Sequence, residues 1–316
     1  MRIRFWGVRG SLPAPKVPAE IQNKVRSILE HLTAKDIESP EAKEQFLLGL
    51  PTWVFGTVGG NTSCVSLDWG DPTQRIVFDA GSGLRELGLA AAKVKPKPAS
   101  YHIFFSHFHW DHLMGLPFFN PGYDPSVNLS FYSPKPNLEE ALQGQMRNPY
   151  FPVTLDMMGA AKTYNLLDKP LSLPSSGGFL AIRHKKVKHP GDSYAYRVDD
   201  GKHSFIYATD AELCPADFLD TDENASFFKN ADLAVVDSQY TLEDAIEKYN
   251  WGHSSFRSAV DFAAKWGVKH LVLFHHEPTY TDKEVYNILQ SAKSYAEEKE
   301  FSGPVTLAVE GLELIL

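Results

Sequence analysis

Cysteine is nearly missing: Cys64 and Cys214 are the only two in 316 residues. One disulfide is possible on paper, but a single pair makes no secreted disulfide framework, and free thiols in a reducing compartment are expected. Long apolar runs are lacking too. No stretch approaches the roughly 20 apolar residues a membrane span needs, and the opening MRIRFWGVRGS carries no apolar signal core. The expectation is a cytoplasmic protein without a membrane partner. Basic residues are outnumbered, with 31 Lys and Arg against 39 Asp and Glu, a net charge of −8. Such a chain grips long polyanions poorly, so duplex DNA is not an expected partner. A small anionic substrate stays open, because bound metal supplies its own positive field. No internal repeat or low-complexity linker interrupts the chain. What remains, 43% hydrophobic and 22% charged, is the composition of a soluble globular protein long enough to bury a large core.

The densest chemistry lies in residues 101–116, YHIFFSHFHWDHLMGL. Ile103-Phe104-Phe105 reads as a buried strand that ends at Ser106. His107, His109, Asp111 and His112 follow within six residues, in the loop and first helical turn beyond the strand. Side chains at strand ends of α/β layers project into a crevice, where ligand sites collect. Imidazole and carboxylate together suit zinc, and also manganese or iron. The alternative is a histidine-rich surface turn.

Residues 3–8 alternate and read as a first strand. Residues 18–50 look helical: Ile21, Val25, Ile28, Leu29 and Leu32 share one face, and Ser39-Pro40-Glu41 opens a second helix. This pair is expected as a satellite packed on the core, with a lid or dimer contact as alternatives. Strands follow around residues 59–67 and 75–79. Asp79 ends the latter, either as a helix cap or as the acceptor of the second N–H of a metal-bound histidine. Residues 84–92 read as a helix, 129–132 as a strand and 138–146 as a helix. Asn148–Val153, aromatic and proline-stiffened, is a candidate lining for a base or sugar, or else plain packing. Strands at 179–188, 194–198, 205–208, 233–237 and 269–274 end at or near His189, Asp210, Asp237 and His275. Gly252-His253-Ser254-Ser255 opens a helix, another spans about 282–298, and a strand pair closes the chain. Strands then helices, twice over, predict an α/β protein: two mixed sheets packed together with helices outside, an αββα four-layer sandwich forming one domain over 1–316.

The pattern His-x-His-x-Asp-His resembles the signature of the metallo-β-lactamase superfamily. Fragments GGNTSCV, FDAGSGLRELG, FSHFHWDHLMGLPFF, PYFPV, HPG, YATDAE, GHSS and LFHHEP extend the likeness, within it, to cyclic-nucleotide phosphodiesterases, phosphonate-pathway phosphodiesterases and ribonuclease Z. The departure is a helical insertion at about 14–56. The resemblance implies two divalent metal ions, zinc first and manganese or iron as alternatives. His107, His109 and His189 would hold one; Asp111, His112 and His275 the other; Asp210 would bridge. It also implies His253 as proton donor, oriented by Asp237, with Asp111 counted among the catalytic groups. His276 has no assigned role. The function implied is hydrolysis of a small phosphodiester, a cyclic nucleotide first, by metal-hydroxide attack. Alternatives are a transfer-RNA 3′-end endonuclease, a thioester or lactam hydrolase, and a non-catalytic metal-binding sensor. Many superfamily members dimerise, so a homodimer stays open.

Overall fold

The computed structural model describes residues 1–175 and 178–316. Among these, β1 (Arg2–Gly7), β2 (Cys64–Asp68), β3 (Gln74–Phe78), β4 (Ser100–Phe104), β5 (Asn128–Ser133) and β6 (Ala161–Leu166) follow one another across one sheet. A second sheet holds β7 (Leu171–Ser175), β8 (Gly178–Val187), β9 (Ser193–Asp199), β10 (Ser204–Ala208), β11 (Leu233–Asp237), β12 (Leu271–Phe274) and β13 (Val305–Leu307). The final strand, β14 (Glu313–Ile315), returns to pair antiparallel with β1, so each sheet has seven strands among the described residues. Both sheets are mixed. In the first, β3 to β6 run parallel, and in the second, β10 to β13 do. Parallel strands are covered on both faces, which is why β11 (LAVVD) and β12 (LVLF) are buried throughout and read as unbroken apolar runs.

The sheets face each other across an aromatic core. Phe78 of β3 lies 5.6 Å from Phe205 and 5.3 Å from Tyr207 of β10, and Phe5 lies 6.0 Å from Phe274. The outer face of the first sheet buries Val77, Ile103 and Phe131 against α4 (Gly83–Ala91) and α5 (Leu138–Gln145). The second sheet is covered by α8 (Phe256–Trp266) and α9 (Asp282–Glu298), with Val260, Phe262, Val285 and Ile288 in the buried cluster. Both helices start as their sequences predict. Ser255 accepts from the Ser258 amide, and Thr281 forms a capping box with Glu284. Short helices α6 (Asp222–Phe228) and α7 (Leu242–Glu247) lie in the connections. The αββα sandwich is the architecture expected from the chain's alternating pattern.

Two local expectations are corrected. The segment from Asp111 is not a helix: Trp110–His112 and Leu116–Phe118 are separate 3-10 turns. The Ala80 amide takes the His112 carbonyl at 2.8 Å, and the Gly115 amide is bound to the Ala80 carbonyl at 2.8 Å. An α-helical ladder would need those same groups.

The second correction concerns the insertion, which comprises α1 (Pro18–His31), α2 (Pro40–Gly49) and α3 (Thr52–Phe55). No residue of α1 or α2 is buried. Ile21 and Val25 are each 49% exposed and Leu29 61%. The helix is rotated so that Lys24, Ser27 and, of the stripe, Ile28 are half-buried, while Ile21, Val25 and Leu29 face out. Its anchor is ionic instead. Lys24 Nζ reaches Asp282 Oδ2 at 2.5 Å, and Lys16 Nζ reaches Oδ1 at 3.0 Å. Val54 of α3 supplies the buried apolar contact.

Candidate metal centre

Strand ends from both sheets meet at one edge of the sandwich. After β4 the chain carries His107, His109, Asp111 and His112. After β8 it reaches His189, after β10 Asp210, and after β12 His275. One ligand atom from each of His107, His109, His189 and Asp210 lies within 4.8 Å of the others, and the same holds for Asp111, His112, Asp210 and His275. Asp210 belongs to both groups and faces each with a different oxygen. Its Oδ1 is 3.7 Å from His107 Nε2 and 3.6 Å from His189 Nε2. Its Oδ2 is 3.1 Å from both His112 Nε2 and His275 Nε2. All seven residues singled out in the sequence are thus brought together.

The rings are held from behind. His112 Nδ1 donates to Asp79 Oδ2 at 2.8 Å, His275 Nδ1 to Gln239 Oε1 at 3.1 Å, and His189 Nδ1 to the Gly252 carbonyl at 2.9 Å. Each bond orients a ring and presents Nε2 to the cluster, where a bound cation would take the place of any proton it carries. Asp79 also accepts from the Ser106 amide at 2.8 Å and the Tyr207 hydroxyl at 2.9 Å, which makes it a strut between the two sheets. Asp79, Asp210 and His275 all adopt positive φ (60°, 49° and 64°). Non-glycine residues held there are strained, and such strain gathers at functional sites.

Three buried nitrogens, Nε2 of His107, His112 and His275, have no hydrogen-bond partner. Orphaned imidazole nitrogens in a buried cluster beside carboxylates are what a cation pair would satisfy, so the donor set fits two divalent metals. The electrostatics agree. Burial opposes the charge of Asp210, yet His112, His275 and His107 hold it well below the usual carboxylate range. Burial likewise opposes a charge on His112, but Asp210, Asp111 and Asp79 raise it well above the ordinary imidazole value. His107, with fewer acidic neighbours, is pushed well down by burial and by His112.

Beside the second cluster, His253 Nδ1 lies 2.8 Å from Asp237 Oδ2, and its ring stacks on His275 at 5.0 Å. Asp237 Oδ1 accepts from the Ser254 amide at 3.1 Å and the Gln239 amide at 3.2 Å. Burial disfavours charge on His253, but Asp237 with Asp210 and Asp111 outweighs it and raises the ring to about 9. With Nδ1 engaged, Nε2 is the nitrogen available to the cleft, a cavity of about 450 Å³ also lined by Ser11, His109, Asp111 and Asp210.

His276 points elsewhere. Its Nε2 donates to the Ala308 carbonyl at 2.8 Å, and burial with nearby Arg9 pushes it down to about 3, so it is a neutral ring tying β12 to the segment after β13. Three contributors had no sequence signal. The Ser11 amide donates to Asp111 Oδ2 at 2.8 Å, Gln239 positions His275, and the Gly252 carbonyl positions His189. Cys64 and Cys214 are both free, as expected. Among the described residues no helix is long and apolar enough to cross a membrane.

Two facing mixed sheets, with imidazole and carboxylate clusters at their joined strand ends, define a metallo-β-lactamase-fold protein. The chain belongs to the beta-lactamase superfamily: the model of the Beta-lactamase superfamily domain matches residues 74–276, which contain every predicted ligand as well as His253 and Asp237. Members of this fold family are hydrolases, and the fold normally holds two divalent metals. The chain is 28% identical over 244 residues to an uncharacterized protein of Mycobacterium tuberculosis, covering 75% of this chain and 80% of that one. It is 23% identical over 287 residues to ribonuclease Z of Oceanobacillus iheyensis, covering 74% and 89%. The crystal structure of the metallo-beta-lactamase fold protein YhfI from Bacillus subtilis superimposes with a TM-score of 0.63 at 19% identity, covering 99% of this chain and 98% of that one.

Proposed function

We propose that the protein is a dinuclear-metal phosphodiesterase acting on a small phosphodiester, a cyclic nucleotide first among them. The observation that carries the reading is the His253–Asp237 pair, 2.8 Å apart beside the second cluster. Cleaving a phosphodiester of an ordinary alcohol releases an alkoxide, which leaves only if a proton arrives. His253 Nε2 is the donor: Asp237 fixes the ring through Nδ1, and the stacked His275 limits its tilt. A pair of divalent cations, zinc in this reading, supplies Lewis acidity and an activated water when bound. His107, His109, His189 and Asp210 would hold one; Asp111, His112, Asp210 and His275 the other. The Ser11 amide keeps Asp111 turned into the cluster, and Asp210 shares its two oxygens between the sites.

Likeness to a ribonuclease Z supports chemistry at phosphodiesters. The small cleft and the net charge of −8 favour a small substrate over a long RNA. The test compares His253→Ala with the wild type on two diesters. Metal content should stay near two per chain. Turnover of a cyclic nucleotide, with its poor alkoxide leaving group, should fall about 100-fold or more. Bis-p-nitrophenyl phosphate, whose leaving group needs no proton, should lose less than about 10-fold. Equal losses on both substrates would remove His253 as donor. A metal-replete wild type that cleaves neither would return the reading to a thioester or lactam hydrolase, or to a sensor.

A further inference from the structure

The cleft at the clusters does not end there. A second cavity of about 540 Å³ adjoins it and shares Phe108 and Trp110 as lining residues. Its other walls include Leu113, Met114, Gln145 and Tyr150, so its surface is mostly apolar and aromatic. Trp110 is 74% exposed and Tyr150 71%. Large aromatic side chains left bare beside a charged centre expose apolar area without satisfying any packing need of the fold. Trp110 directly precedes Asp111 and sits in the same 3-10 turn, so its position is tied to the metal loop. Gly144 of α5 also lines the cavity, and a Cβ there would meet no atom within 4 Å.

From this geometry we infer that the Phe108–Trp110–Tyr150 cavity receives the planar base of a nucleotide whose phosphate is anchored at the clusters. The inference rests on the phosphodiesterase reading for the phosphate end only. A ligand with a charged phosphate and a flat, weakly polar ring matches the change from imidazole and carboxylate lining to aromatic lining across two shared residues. Every base presents a π-face, so stacking here would be tolerant of base identity and would add affinity instead of strict sequence choice. Trp110 and Tyr150 are positioning residues in this account. They hold the substrate's organic end and take no part in proton transfer.

The experiment measures binding by calorimetry to the metal-loaded full chain, with four nucleoside 5′-monophosphates and ribose 5-phosphate as probes. At least one nucleotide should bind wild type about 10-fold or more tightly than the sugar phosphate. Trp110→Ala should lose most of that difference while leaving ribose 5-phosphate within about twofold, and Trp110→Phe should restore much of it. Gly144→Leu, which fills the cavity without truncating anything, should produce the same selective loss. The inference is overturned if none of the four nucleotides outbinds ribose 5-phosphate. Equal weakening of both ligand types in the variants, or no weakening of either, overturns it as well. A parallel turnover assay separates the two ideas. Diesters cleaved no better with a base than without one would sink this inference alone, whereas base-dependent binding without any hydrolysis would sink the phosphodiesterase reading alone.

Discussion

Gly252 positions an imidazole without a side chain of its own. Its φ is +94°, its amide donates to Glu212 Oε2 at 3.0 Å, and its carbonyl accepts the His189 Nδ1 proton. A Cβ on Gly252 would lie 2.3 Å from that same nitrogen. Gly252→Ala should therefore push His189 out of the first cluster and weaken that metal by about 10- to 100-fold while sparing the second. Competition against a chelator with stepwise metal release would read it, and one unshifted two-metal release curve would refute it. This role was illegible in the sequence for a physical reason: every residue carries a carbonyl, and nothing local says which distant ring will use it. Side chains with distinctive chemistry were legible, as with Asp79, whose second reading as acceptor for a ligand histidine matches the 2.8 Å bond to His112. Between His275 and His276, adjacency to the apolar strand pointed to the right ring, because the residue directly after β12 turns at φ +64° into the cluster.

At the scale of elements, buried strands announced themselves and edges did not. The strands β10, β11 and β12 are largely apolar because both faces are covered. By contrast, β6 (AKTYNL) lies at a sheet edge with no fully buried residue, so no apolar run marks it. The apolar stripe of α1 misled for the opposite reason: ionic anchoring set the rotation of the helix. Asp282, at the start of α9, gathers Lys16, Lys24, the Val58 amide at 3.1 Å and the fully buried Arg9 at 3.5 Å. Burial pushes its carboxyl up, but the bonds from Lys24 and Lys16 outweigh this and hold it below the ordinary value. A carboxyl lowered in the folded state contributes stability above its unfolded value, about 3.9, and loses it as pH falls through the folded value. Asp282→Asn takes the carboxylate from Arg9 and Lys24 and leaves Lys16 with Glu20 alone, and should cost about 3 kcal/mol at pH 7. The gap between variant and wild type should narrow as pH falls below about 4. Urea midpoints on metal-free protein at pH 7, 4 and 3 would measure it, and a gap unchanged down to pH 3 would contradict the assignment.

Across the whole molecule, the clusters join two sheets that otherwise meet through apolar packing and a few buried hydrogen bonds such as Tyr207 to Asp79. The first sheet contributes His107 to His112, and the second contributes His189, Asp210 and His275. Cations held there bind only the assembled sandwich, so saturation at 100 times Kd adds about 2.7 kcal/mol per ion. Exhaustive chelation should release about two ions, lower the thermal midpoint, and speed amide exchange around residues 107–112, 189–191, 209–213 and 275–277. Little change is expected in β3, β4, β10 and β11. An unaltered midpoint after complete metal removal would refute the coupling. The layered architecture was readable beforehand because alternating strand and helix patterns admit few packings.

The insertion leaves the chain at Ala14 and returns at Gly60, where the Ala14 amide meets the Gly60 carbonyl at 2.8 Å. Beneath those two feet, Arg9 and Thr62 already form a bridge. A detour whose roots touch asks nothing of the strands it interrupts. Its length can change between Lys24 and Val54 while both roots, the ion pairs to Asp282 and the groups at the strand ends stay where they are.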